Sequence, residues 1–177
     1  MEGNRGTWED HWQEILDYVM PRKAEITFRR AKGEKRAEIL FDSTAITASN
    51  LLAASLQGTL TSPSLQWFNI KLKAEELNLN REVQLWLEDC SRRMYEVFNE
   101  TNFNSEVHEM YLDLVTIGTG ALFVEEGSKG FNESKIHFNT MHIAEYYIQE
   151  NVQGYVDTLY RKYKLSARQA VQEFGED

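Results

Sequence analysis

The stretch SEVHEMYLDLVTIGTGALFVEE, Ser105 to Glu126, changes its hydrophobic period part-way along, from helical spacing to a continuous apolar run. Its first half carries apolar side chains at helical spacing, namely Val107, Met110, Tyr111, Leu114 and Ile117. Gly118 and Gly120 then supply the backbone freedom with which a helix ends. The apolar run Ala121–Val124 is typical of a strand entering a core. The stretch therefore predicts a helix capped by Ser105, a glycine joint and a buried strand.

Upstream, the sequence predicts a first helix with two tryptophans on one face. Thr7 is a suitable N-cap, and Pro21 sets the end because the residue before a proline disfavours helical angles. Trp8 and Trp12 together form a large apolar area. We therefore expect this face to lie in the core or in a contact between subunits.

Two more helices are predicted before Ser105. Asp42–Leu60 is rich in alanine and serine, and small residues let neighbouring elements approach closely, so we expect burial on more than one side, within or between subunits. The other helix starts after Asn80 and ends near Asn99. Its apolar stripe consists of Val83, Trp86, Leu87, Cys90, Met94, Val97 and Phe98.

The segments between these helices carry weaker patterns. Pro21–Phe41 is charged and predicts a long loop with a short strand at Ile26–Phe28. In Trp67–Lys73 apolar and polar residues alternate, which predicts a half-buried strand.

After Ser105–Glu126 the hydrophobic period is two. A turn at Gly127–Gly130 predicts a hairpin between Leu122–Glu126 and Phe131–Phe138. A second hairpin should join Glu145–Gln149 to Tyr155–Tyr163 through an Asn151–Gly154 turn.

A last helix, Ala167–Phe174, follows the N-cap Ser166. Its inward residues should be Ala170, Val171 and Phe174. Helices followed by strands predict an α+β fold with antiparallel hairpins. We expect one region over residues 1–177, mainly helical over 1–120, mainly β over 121–164, with a further helix starting in 165–177. A terminal helix this short predicts a chain cut from a longer one.

The charge balance limits the possible partners. The chain has 28 acidic and 19 basic side chains, a net charge of −9, which argues against general affinity for phosphate backbones or anionic membranes. No apolar run approaches the length of a membrane span. The single cysteine, Cys90, cannot form an internal disulfide, so we expect a reducing compartment.

One segment gathers positive charge between residues 22 and 36. Its cations are Arg22, Lys23, Arg29, Arg30, Lys32, Lys35 and Arg36. Two interpretations remain open, a solvated basic loop or a contact with a polyanion or an acidic partner.

The four histidines, His11, His108, His137 and His142, are the first place to look for chemistry. His108 lacks a second histidine four residues on, and His137 with His142 are too few ligands for zinc. Gly118-Thr119-Gly120 follows a helix and lacks the lysine of a phosphate loop. The sequence therefore predicts no catalytic, cofactor-binding or metal-binding residues, and an enzyme is the less favoured class.

Several segments, taken together, resemble the portal or head-to-tail connector proteins of short-tailed bacteriophages. They run in order along the chain: Trp8–Ile15 with Tyr18–Pro21, Gly33–Arg36, Phe41–Ala45, Ala53–Pro63 with Trp67-Phe68, Tyr111–Leu114, Gly118–Glu126, Glu145–Ile148, Val156–Arg161 and Ala167–Val171. Each motif is weak alone, and their common order makes the resemblance specific.

The resemblance implies a non-enzymatic subunit of a ring, typically a dodecamer, at one capsid vertex of the virion. Such rings meet major capsid or scaffolding protein, dock terminase, bind tail adaptor proteins, and pass DNA without reading its sequence during packaging and ejection. Members of this family are about three times longer, so the chain should correspond to the N-terminal wing portion. Assembly in the host cytoplasm, without a cofactor or a membrane, is the corresponding expectation.

Two other classes stay open at this point. An intracellular metal-binding or ligand-binding domain or enzyme would have its site near His137, His142 and the Gly118–Gly120 bend. A monomeric adaptor module would bind a partner without forming rings.

Overall fold

The computed structural model of the protein describes residues 5–31, 33–35, 39–127 and 136–175. The helices are α1 (Gly6–Val19), α2 (Thr44–Leu60), α3 (Arg81–Glu100), α4 (Phe103–Ile117) and α5 (Ala167–Phe174). The strands are β1 (Ala121–Glu126), β2 (Ile136–Met141), β3 (Tyr146–Glu150) and β4 (Val156–Arg161). Short 3-10 turns lie at Pro21–Lys23, Glu75–Leu79 and Ile143–Glu145. The α+β class is confirmed.

Two antiparallel hairpins make up the β part. β1 pairs with β2 from Ala121 opposite Met141 to Glu126 opposite Ile136, as predicted for the first hairpin. Residues 128–135, which include most of its predicted turn and the start of the predicted second strand, lie outside the described residues. β3 pairs with β4, and the Asn151–Gly154 turn is present, with the Asn151 side chain accepting from two backbone N–H groups and Gly154 at a φ of 80°.

α4 is the centre of the core because α1, α2, α3 and β2 all pack against it. Val107, Tyr111 and Leu112 are buried there. They join a cluster with Leu16, Met20, Ala24, Ala53, Phe103 and Phe138. The predicted single stripe was wrong at Leu114, which is 43% exposed, while Leu112 is buried. Packing on several sides of α4 shifts the buried face away from one helical stripe.

The joint after α4 differs in detail from the prediction. Gly118 caps the helix in the left-handed conformation at a φ of 82°, whereas Gly120 is not among the glycines with positive φ. A Cβ on Gly120 would lie 2.9 Å from both the Met110 carbonyl oxygen and Met110 Cγ, so close backbone approach requires glycine there. Ser105 lies inside α4, which follows Asn102.

We expect Gly120→Val to lower the free energy of unfolding by about 1–3 kcal/mol, because the new side chain would overlap the α4 backbone. Urea unfolding monitored by circular dichroism measures the change. Gly58→Ala is the control, since an added Cβ there has nothing within 4 Å and helix propensity should raise stability by about 1 kcal/mol. An unchanged unfolding midpoint for Gly120→Val would contradict the steric explanation.

Two further predicted burial patterns were wrong. Most of β1 is exposed, including Phe123 and Val124, because β2 is its main neighbour and only its first residues lie against α4. In α5, Ser166 and Gln169 form the predicted capping box, but Val171 and Phe174 are exposed.

The predicted strands Ile26–Phe28 and Trp67–Lys73 are absent from the described structure. In the second of these segments, side chains replace a strand partner: Ser91 Oγ accepts from the Ile70 N–H, and Asn78 bonds the Leu72 backbone twice. Trp67 stacks on Phe98 and Phe103 with ring centroids 6.2 and 6.0 Å away. These long-range contacts satisfy the segment without a β ladder.

Candidate interaction surfaces

The histidines of the alternative site have separate structural partners. His137 Nδ1 lies 3.0 Å from Glu125 Oε1, its cross-strand neighbour. His142 Nδ1 accepts from the Ala144 N–H, so its proton lies on Nε2 and is donated to the Lys23 carbonyl at 2.8 Å. The structure therefore does not join the two imidazoles in one set of donors. Across the described residues, no group of three or more His, Cys, Asp or Glu side chains could hold a metal ion.

His11 and His108 also lie apart from any shared centre. His11 is exposed, and His108 Nδ1 lies 2.9 Å from Gln57 Oε1, between α4 and α2. Within the Gly118–Gly120 bend, Gly120 lies against Met110 of α4, whereas a Cβ on Gly118 would have nothing within 4 Å. His108 therefore connects α4 to α2, and Gly120 brings the bend close to α4.

Much of the basic segment is paired internally, so the interpretation as a solvated loop was wrong for its N-terminal part. Lys23 Nζ lies 2.7 Å from Asp113 Oδ1 and 3.1 Å from Glu109 Oε2, and Arg22 also contacts Glu109 at 2.7 Å. Arg30 pairs with Asp17 at 3.2 Å. Lys32 and Arg36 lie outside the described residues. These ion pairs fasten the segment to α4 and α1.

The two carboxyls on α4 respond differently to this network. Asp113 is 2% exposed, and burial raises its pKa even though Lys23 opposes the change. Burial also disfavours the charged form of Glu109, but hydrogen bonds from Arg22 and the charge of Lys23 hold its pKa below the usual value. Lys23 therefore compensates a buried charge that has little access to water.

Arg5, which carried no periodic signal in the sequence, fixes the start of α1. Its guanidinium donates to the carbonyls of Ile143 and Tyr146 and lies 4.3 Å from the centre of the Tyr147 ring. The Arg5 Nε atom is 2.8 Å from Glu9. Only the tertiary structure brings these carbonyls together, so no sequence pattern could have indicated them. Arg5 joins α1 to the start of β3.

A groove of about 750 Å³ runs beside this contact, between α1 and β3. Its lining consists of Arg5, Trp8, Trp12, Ile117, Thr119, Ile143 and the five residues of β3, Tyr146–Glu150. Trp8 is 59% exposed and Trp12 is half-buried, with the two rings 6.1 Å apart. Trp8 is thus not a core residue of this chain, and the subunit-contact interpretation of this face remains a prediction.

The second surface is the outer side of α2 with its flanking segments. From Ile39 to Ile70 the chain has one charged side chain, Asp42, which accepts hydrogen bonds from Thr44 at the start of α2. Large apolar residues are nevertheless exposed along it: Ile39, Phe41, Leu51, Leu52, Leu60, Leu65 and Trp67. Phe41 is 99% and Leu51 68% exposed. We call Ile39–Ile70 the uncharged face.

The uncharged face is buried on one side only within this chain. Ser49 and Ala53 are the buried positions of α2, whereas Ala54 and Gly58 are exposed. Exposed apolar surface of this extent marks a contact with another molecule. No helix in the described part of the chain is both long and apolar enough to cross a membrane.

Comparisons with a family of known proteins and with individual relatives both point to bacteriophage portal proteins. The sequence profile of the family described as bacteriophage head to tail connecting protein matches residues 1–177. The chain is 33% identical over 174 residues to the probable portal protein of Bordetella phage BPP-1 and 32% identical over 178 residues to the portal protein of Salmonella phage epsilon15. These alignments cover 98% and 100% of this chain, which spans 31% of each relative.

Proposed function

Because the chain belongs to the family of bacteriophage head-to-tail connecting proteins, we propose that it is a structural, non-catalytic part of a portal ring at a capsid vertex. The observation that carries the proposal is the uncharged face. A chain of net charge −9 has one charge between Ile39 and Ile70, yet exposes seven large apolar side chains there. Copies that repel one another elsewhere can pack through this face.

A ring imposes a geometric condition on each subunit. Because a cyclic assembly larger than a dimer uses head-to-tail contacts, every copy must present two different complementary surfaces. The chain offers two different surfaces with exposed apolar side chains, the uncharged face and the groove beside Trp8 and Trp12. Both support packing in a ring, typically a dodecamer in this family.

The charge of the chain supports a role as a conduit for DNA. Each phosphate that a protein neutralises strengthens binding, and a strongly basic lining would hold DNA in place. Here three described cations of the basic segment, Arg22, Lys23 and Arg30, are engaged by carboxylates of the same chain. We infer that DNA passes during packaging and ejection without sequence-specific binding.

The chain corresponds to about a third of the length of its relatives. We therefore assign the binding partners to the complete protein and not to this part alone. We infer that residues 1–177 form the N-terminal wing portion, with capsid or scaffolding protein, terminase and tail adaptor proteins as neighbours of the complete ring. On this proposal the ring assembles in the host cytoplasm and resides in the virion.

The proposal predicts that the purified chain forms closed rings. Mass photometry should show one discrete high-mass species, and negative-stain imaging should show rings of uniform diameter. Matched samples with and without a chelator should give the same rings. A monomer at every concentration would favour an adaptor module, and stoichiometric bound metal lost with the chelator would favour a site near His137 and His142.

A further inference from the structure

The groove follows the open edge of β3. Its lining includes five consecutive residues, Tyr146 to Glu150, and neighbouring residues of a strand point to opposite faces of the sheet. A groove that all five residues line must therefore run along the edge of the strand. The edge opposite β4 is the only one available, because β3 belongs to a two-stranded sheet among the described residues.

The hydrogen-bond pattern shows which backbone groups point into the groove. The Lys162 N–H donates to the Glu145 carbonyl, so pairing inside the hairpin begins with these two residues. Bonded and non-bonded pairs alternate in an antiparallel ladder, which makes Ile148 and Leu159 a non-bonded pair. The N–H and C=O of Ile148 therefore point outwards into the groove, and those of Leu159 point outwards from β4.

Arg5 sets one limit of the available edge. Its guanidinium donates a hydrogen bond to the Tyr146 carbonyl oxygen, and this carbonyl also points away from β4. The part of the β3 edge that is free to pair thus begins after Tyr146. It faces the side of the groove that Trp8 and Trp12 form. Such an edge is a template for an added strand, and proteins usually protect it with charged residues or a cover.

β4 has the properties of the strand that would be added. Its outer edge is open in the described structure, and its main packing neighbour is β3. Thr158 and Tyr160, which carry no charge, lie on one side of β4, while Leu159 and Arg161 lie on the other. The side of β4 that carries Thr158 and Tyr160 can lie against Trp8 and Trp12. Arg161 then stays on the opposite side, paired with Glu145 at 3.2 Å, so no unpaired charge would enter the groove.

We propose that the outer edge of β4 in one copy adds to the outer edge of β3 in the next copy, inside the groove beside Trp8 and Trp12. This inference rests on the proposed ring. The two edges of the hairpin are different, so their pairing is head-to-tail and repeats around a ring. It also extends a two-stranded sheet, which alone is marginally stable. A stable interface needs about 800 Å² per partner, and we assign the remaining area to the uncharged face.

Proline substitutions test the backbone contact. Ile148→Pro and Leu159→Pro each remove an outward N–H and spare the bonds between β3 and β4. The matched controls, Ile148→Ala and Leu159→Ala, keep the N–H and lose only side-chain area. We expect mass photometry to show rings for both alanine variants and at least a tenfold loss of rings for both proline variants, with unchanged circular dichroism. Rings formed equally by all four variants would overturn strand addition and leave the portal proposal intact.

Cross-linking keeps the test decisive if a proline variant unfolds. In a Cys90→Ala background, Ile148→Cys and Leu159→Cys chains are treated with a short bismaleimide, separately and mixed. We expect the cross-linked dimer only in the mixture. Dimers from either chain alone would show like edges meeting, and no dimer in an assembled mixture would show that the edges are apart; both results overturn the inference. A wild-type chain that never assembles overturns the proposed function as well.

Discussion

Ala54→Trp should leave the chain folded and abolish ring formation, whereas Ala53→Trp should unfold it. The two residues are neighbours in α2, but Ala53 is 0% exposed in the core cluster and Ala54 is exposed on the uncharged face. An indole at Ala53 has no space and should cost more than about 3 kcal/mol. At Ala54 it would clash only with a neighbouring copy.

Circular dichroism with urea unfolding measures the first effect, and mass photometry measures the second. We expect no discrete high-mass species for Ala54→Trp under conditions in which the unmodified chain forms rings. Lys71→Trp, an exposed change just beyond the uncharged face, is the control and should assemble normally. Normal rings from Ala54→Trp would show that α2 faces solvent in the assembly.

Lys23→Met should destabilise the chain by about 3–5 kcal/mol, because it leaves the buried carboxylate of Asp113 without its partner. The Lys23 side chain is largely buried, so water cannot replace the ammonium group. Adding Asp113→Asn should recover part of the lost stability, because it removes the carboxylate charge that has no partner. Arg29→Met, the same kind of change at an exposed cation, should stay within about 0.5 kcal/mol of the unmodified chain.

The effect of Lys23→Met should depend on pH. Asp113 has a raised pKa, so its contribution to stability is complete below its unfolded pKa and is lost as pH rises through the folded value. Glu109 has a lowered pKa, so its contribution is present above its unfolded pKa and is lost as pH falls. Lys23 reduces the stability that Asp113 loses as pH rises, and it contributes to the stability that Glu109 provides above its unfolded pKa. The stability difference between Lys23→Met and the unmodified chain should therefore be larger at pH 7 than at pH 4.

Urea unfolding at both pH values checks this expectation, at chain concentrations below those that give rings. Lys23→Met with Asp113→Asn should show a smaller pH dependence of its deficit than Lys23→Met alone. An equal deficit for Lys23→Met at the two pH values would mean that lost packing of the lysine stem, and not the buried charge, causes the effect.

The sequence alone determined the order of the helices and of the two hairpins, and several of their ends. Asn80, Ser166 and Gly118 were predicted as caps or ends, and the structure confirms each of them. Both hairpin pairings followed from a period of two and from turn residues. The resemblance to portal proteins is also confirmed. These features depend on neighbouring residues or on short segments in a fixed order. They can therefore be recognised in a single sequence.

The tertiary structure alone decided which faces meet and which backbone groups are already satisfied. Trp67–Lys73 has the alternation of a strand, but the side chains of Ser91 and Asn78 form hydrogen bonds with its backbone in place of a neighbouring strand. Gly120 is required by its approach to α4 and not by its own φ. Asp113 and Lys23 are 90 residues apart in sequence and 2.7 Å apart in space. Burial and pairing of this kind depend on distant parts of the chain, which no local period records.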